Sequence, residues 1–265
     1  MTIDLAQLSS EQKRALLVRK LAVARQRPSD HPLSFPQQRL WFLEQLTPDT
    51  GAYNVPVAVQ LDGLIDIDLW RRCYEEIVRR HSSLRTTFTE VSGEPVQRVH
   101  PTGSIEMDLD DYSEEVVDDP KILVDRWLRQ EISKPFDLER GPLWRVRFLR
   151  LTPERHVMVL TMHHIIADLW SMSVAIDELV ALYRAYGRGE PSPLADLELQ
   201  YTDYSRWQRE SLADDGSAAD QAYWARELEG APSALDLPTD RPRPVVQTHR
   251  GASVPFDIPA ELADQ

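Results

Sequence analysis

Cysteine is almost missing from this sequence: Cys73 is the one copy in 265 residues. It can close no disulfide within the chain and has no second thiolate with which to share a metal. A reducing, cytoplasmic setting is the expectation. Basic charge is also short, with 30 Lys and Arg against 43 Asp and Glu and a formal charge of −13. A nucleic-acid binder needs a concentrated basic face to neutralise phosphates, so no nucleic-acid partner is expected. No apolar run approaches the roughly 20 residues of a membrane span. The start, Met1-Thr2-Ile3-Asp4, runs into Glu11-Gln12-Lys13-Arg14 without the apolar core of an export signal. Glycine is sparse, 10 residues against 19 prolines. No Gly-x-Ser-x-Gly elbow is present, which removes the usual support for a serine hydrolase.

The hydrophobic pattern that is present predicts an α/β chain, a mixed sheet layered with helices. Ser9 and Gln12 have capping-box spacing ahead of a leader helix that Pro28 ends, with Leu17, Leu21 and Ala24 on one face. Further helices are predicted over 33–46, from Asp66 to about Arg80, over 114–132, 172–186, 201–212 and 217–229. Strands are predicted over 53–61, 84–91, 95–99, 105–109, 143–151, 156–162 and 252–256, with a hairpin at Ser92-Gly93. Prolines gather near 28–36, 191–193 and 232–244. The expected division is a leader over 1–30, a lobe over 31–230, and a connector over 231–265.

Val157-Met158-Val159-Leu160 is apolar on both faces, as in a central strand covered on both sides. It delivers the chain to His163-His164, with Asp168 four residues further on. Strand side chains alternate, so one imidazole is expected to face a cavity while the other supports the turn. Imidazole titrates near neutral pH and suits proton transfer from an amine or hydroxyl. A histidine pair on a strand is more often structural than catalytic, so the pattern alone leaves both open. A metal site lacks a third ligand, and none is expected.

Met162 to Asp168 resembles the His-His-x-x-x-Asp-Gly signature of condensation domains in nonribosomal peptide synthetases. Three further segments match that family in the right order. Ser34-Phe35-Pro36-Gln37-Gln38-Arg39-Leu40-Trp41 resembles its opening Ser-x-Ala-Gln-x-Arg-Leu-Trp motif. Arg79 to Phe88 resembles its Arg-His-x-x-Leu-Arg-Thr-x-Phe motif, with Ser82 where Glu is usual. Tyr201 to Trp207 resembles its Tyr-x-Asp-Tyr/Phe-x-x-Trp motif. The resemblance runs from about residue 31 to the end. It implies the first of two lobes built like chloramphenicol acetyltransferase, followed by the connector 237–244 and the start of a second lobe.

The resemblance also implies a reaction. An upstream carrier protein presents an acyl or peptidyl thioester on a phosphopantetheine arm, and a downstream carrier presents an aminoacyl thioester. The acceptor amine attacks the donor carbonyl to form an amide. No cofactor is bound by this lobe. The remaining partners are the missing C-terminal lobe and an adenylation domain in the same polypeptide. His164 matches the catalytic position. His163, Asp168, Arg80 and Arg85 match supporting positions, with Asp168 expected to pair with Arg80 or Arg85 and hold the loop. Arg39 and Trp207 are expected to build the lobe. Leu169 stands where the signature has glycine, and would either narrow a donor-side tunnel or turn into the core. A tunnel between lobes implies that residues 1–265 are inactive alone. Two other readings remain: a related domain that epimerises or forms an ester, and a condensation-like platform that recruits partners without chemistry.

Overall fold

The computed structural model describes residues 27–48, 50–115, 119–213, 217–232, 235, 237–242, 254 and 256–263. The expected leader helix lies outside the described residues, as does most of the expected strand over 252–256. The chain divides into two units, 1–217 and 218–265.

The first unit holds two sheets. Strands β1 (Ser29–Pro32), β3 (Thr86–Val91) and β4 (Glu94–Val99) form one, in the order β1-β4-β3. The β3–β4 hairpin turns at Ser92-Gly93, where both residues take positive φ (55° and 85°) as a tight two-residue connection requires. β1 is hidden in the sequence because Pro28 precedes it and Pro32 ends it. Among the described residues it pairs on one edge, with β4, where a missing proline N–H does least harm. The second sheet joins β2 (Asn54–Asp62), β7 (Arg155–His163), β6 (Trp144–Thr152) and β5 (Met107–Asp111), in the order β2-β7-β6-β5. The β5–β6 pair is parallel and the others antiparallel.

β7 is central, and its alternation sorts its side chains between two cores. Met158, Leu160 and Met162 enter a cluster with Tyr74, Ile77, Leu179 and Leu182 of helices α2 (Ile67–Arg80) and α4 (Leu169–Gly187). Val157 and Val159 pack on the opposite face with Trp127 of α3 (Pro120–Ser133). Each such aliphatic side chain contributes about 1.5–3 kcal/mol on leaving water. α2 starts at Asp66, whose carboxylate accepts the Leu69 N–H at 2.9 Å. α3 starts six residues later than its pattern predicts, at Pro120, because Asp119 caps it and proline suits the first helical position.

Two more helices belong to this unit among its described residues. α1 (Phe35–Leu46) is capped by Ser34 with Gln37 in a reciprocal box. α5 (Tyr201–Ser211) lies against the N-terminal end of α1 and the first sheet. Tyr201 Oη lies 2.9 Å from Ser34 Oγ, and Gln97 Nε2 donates to Ser205 Oγ at 2.8 Å. The second unit contains α6 (Ala218–Glu227) and α7 (Ala260–Ala263) among its described residues.

Candidate active site

The candidate site is the turn at the end of β7. The His163 N–H donates to Leu143 O at 2.9 Å and the His164 N–H to Tyr53 O at 2.8 Å, so both flanking segments fix the turn's backbone. Ile165, 3% exposed, plugs the turn into a third apolar cluster with Leu33, Leu40, Phe88, Phe136 and Leu143. The two imidazoles part as strand alternation requires: His163 is buried and His164 exposed.

Each ring has a proton placement set by its partner. His164 Nδ1 lies 2.8 Å from the Ala167 carbonyl oxygen, which can only accept. The ring therefore carries its proton on Nδ1, leaving the Nε2 lone pair free for an external donor. His163 Nδ1 accepts from the Ile165 N–H at 3.1 Å, which puts the His163 proton on Nε2. The ring is enclosed by Tyr53 and Phe136, with centroids 6.2 and 6.3 Å away.

Asp168 does not pair with Arg80 or Arg85. It caps α4: its Oδ1 accepts the Ser171 N–H at 2.8 Å and the Ser171 hydroxyl at 2.7 Å, while its own N–H donates to Ser171 Oγ. These bonds, the backbone one first, hold its carboxyl below the usual aspartate range, with a smaller contribution from His164. The expected arginine bridge fails because both arginines are committed elsewhere. Arg80, 7% exposed, meets Glu178 and the Ala195 carbonyl. Arg85 donates to the His100 carbonyl.

Leu169 does not turn into the core. It is the first residue of α4, 72% exposed, and Trp170 beside it is 78% exposed. Trp170 lines a cavity of about 170 Å³ with Ile77, Leu84, Met162, Ile166 and Val174, whereas Leu169 does not. Arg39 and Trp207 also lie at the surface, Trp207 60% exposed. The buried positions of their helices belong instead to Gln37, Leu40 and Glu44 in α1, and to Thr202 and Ser205 in α5.

The sequence motifs do not reveal Glu44 as a member of the site. Its carboxylate lies 3.7 Å from His163 Nε2, and both side chains are almost fully buried. A signal was present nonetheless, since a charged residue shares the inward face of α1 with Gln37 and Leu40.

This arrangement is the first lobe of the condensation fold, which resembles chloramphenicol acetyltransferase. A mutant of the starter condensation domain of rhizomide synthetase RzmA, solved with C8-CoA and Leu-SNAC, superposes with a TM-score of 0.73 at 20% identity. The match covers 90% of this chain and 52% of that one. The first condensation domain of the CDA synthetase gives 0.70 at 23% identity, over 80% and 53% of the two chains.

Residues 28–265 match the condensation-domain family model, and the chain belongs to that family. A linear gramicidin synthase of Brevibacillus parabrevis is 44% identical over 230 residues, 87% of this chain and 3% of that protein. Chondramide synthase cmdD of Chondromyces crocatus is 42% identical over 244 residues, 90% of this chain and 6% of that protein. The chain thus spans a small part of these synthetases and about half of the solved condensation domains.

Proposed function

We propose that this chain supplies the histidine-bearing half of a condensation site that forms an amide between two carrier-bound substrates. The observation that carries this is the His164 ring: Nδ1 is tied to the Ala167 carbonyl, which leaves Nε2 of this exposed residue as an acceptor. An acceptor amine hydrogen-bonded there is aimed at the donor thioester. The C–N bond forms as the C–S bond breaks. The amine proton passes to Nε2 and then to the departing thiolate, which leaves as the phosphopantetheine thiol of the donor carrier. A free amine is already nucleophilic, so holding it at the attack angle supplies part of the rate. No covalent enzyme intermediate is required.

Leu169 and Trp170 stand exposed beside the histidine turn, and an apolar patch of this kind marks an interaction surface. The proposed cover is the second lobe, which closes the substrate tunnel. An adenylation domain in the same polypeptide would load the acceptor carrier. The test is reconstitution of the complete domain with a loaded donor carrier and an aminoacylated acceptor carrier. Amide on the acceptor carrier and free donor thiol support the reading. An ester, an epimerised donor without transfer, or carrier binding without product overturns it. Residues 1–265 alone should give no product.

A further inference from the structure

Two buried polar side chains of α1 converge on the turn that carries His164. Gln37 and Glu44 are seven residues apart, two helical turns on one face, and are 3% and 7% exposed. Gln37 Nε2 donates to the Ile165 carbonyl at 3.3 Å. Glu44 Oε2 faces His163 Nε2 at 3.7 Å, and neither atom has another hydrogen-bond partner. An unmatched buried donor beside an unmatched buried acceptor is costly unless the two serve each other. The gap is slightly long for a hydrogen bond, yet shorter than the roughly 4.5–5 Å a bridging water would impose.

We propose that Glu44 is a positioning residue for His164, acting through His163. The inference rests on the condensation reading of the site. The Glu44 carboxylate accepts from the Nε2–H of His163, which keeps that proton on Nε2 and Nδ1 bare to accept the Ile165 N–H. That bond sets the turn immediately after His164, and Gln37 holds the same turn by the Ile165 carbonyl. Without Glu44, the His163 proton is free to move to Nδ1. There it would face the Ile165 N–H donor to donor, and the turn would loosen. α5 secures the clamp from behind: Arg209 donates to the Leu33 carbonyl at 2.5 Å and to Gln38 at 2.8 Å.

The test uses the complete domain in steady-state turnover with both carriers loaded. Glu44→Met keeps the volume and removes the acceptor, whereas Glu44→Gln keeps an acceptor oxygen. Glu44→Met should lower kcat by about tenfold or more, with the acceptor KM unchanged, since a displaced catalytic group costs rate rather than binding. Glu44→Gln should stay within about threefold of wild type. Nitrogen NMR of labelled histidine should show His163 protonated on Nε2 in the wild-type and Glu44→Gln proteins, and a changed pattern in Glu44→Met. A folded Glu44→Met protein with wild-type kcat, or equal losses in both variants, overturns the proposal. If Glu44→Met fails to fold, the Glu44→Gln protein decides: a wild-type His163 signal with retained kcat supports it, and loss of either overturns it. His164→Ala run alongside separates the two claims. Wild-type turnover in that variant sinks the condensation reading, whereas its inactivity beside a fully active Glu44→Met protein sinks the positioning role alone.

Discussion

Arg80 and Glu178 join α2 to α4, with Nη2 and Oε1 2.9 Å apart and side chains 4% and 12% exposed. His81 Nε2 also donates to Glu178, at 2.7 Å. Removing one partner of such a buried pair strands the other charge. Arg80→Ala should therefore destabilise the protein by about 3–5 kcal/mol in chemical denaturation. A loss below about 1 kcal/mol would mean that the pair is solvated in solution.

The same contact gives stability an acid arm. Burial opposes ionisation of Glu178, but the hydrogen bonds from Arg80 and His81 outweigh it and hold the carboxyl below its usual range. A group with a depressed folded pKa stabilises fully above its unfolded pKa. That contribution is lost as pH falls through the folded value. Thermal unfolding followed from pH 7 into the acid range should show this loss, and Glu178→Gln should flatten it.

Asp168 should behave as a helix cap. Asp168→Ala should cost about 1 kcal/mol, and Asp168→Asn much less, because asparagine caps nearly as well. If Asn and Ala are equally damaging, the carboxylate's charge matters more than its capping bonds.

Much of the fold could be read from the sequence because its periodicities are local. The two-sided apolar run of β7 announced a central strand, and Asp66 announced the start of α2. What could not be read were pairings between distant segments. Asp168 and Arg80 carry opposite charges and both lie in motifs of the condensation family, yet Ser171 and Glu178 claim them. Glu44 went unnoticed because a charged residue on a helix normally faces water, and only the packing of α1 on the β7 turn buries it. For Leu169 the sequence left two options, a tunnel wall or the core, and only the position of α4's first turn shows that the side chain is exposed.

Leu169 offers a check on the second lobe. In this unit its side chain is largely in water, so Leu169→Gly should cost under about 1 kcal/mol, a helix-propensity effect. A loss of about 2 kcal/mol or more in the complete domain, beyond that propensity effect, would show that another surface covers Leu169.

Cys73 is fully buried, and burial raises its thiol pKa to about 11. A thiol reagent at neutral pH should leave the native protein unmodified and react with one thiol per chain after denaturation. Rapid labelling of native protein would contradict the packing of α2 against the sheet.

The central claim is that Nε2 of His164 directs the acceptor amine. The most direct measurement is the single-turnover rate of amide formation by the complete domain with His164→Ala, both carriers loaded and the fold verified by its unfolding temperature. The expected result is a loss of about a hundredfold or more, the usual scale for a positioned general base. A folded His164→Ala protein that forms the amide at the wild-type rate would contradict it.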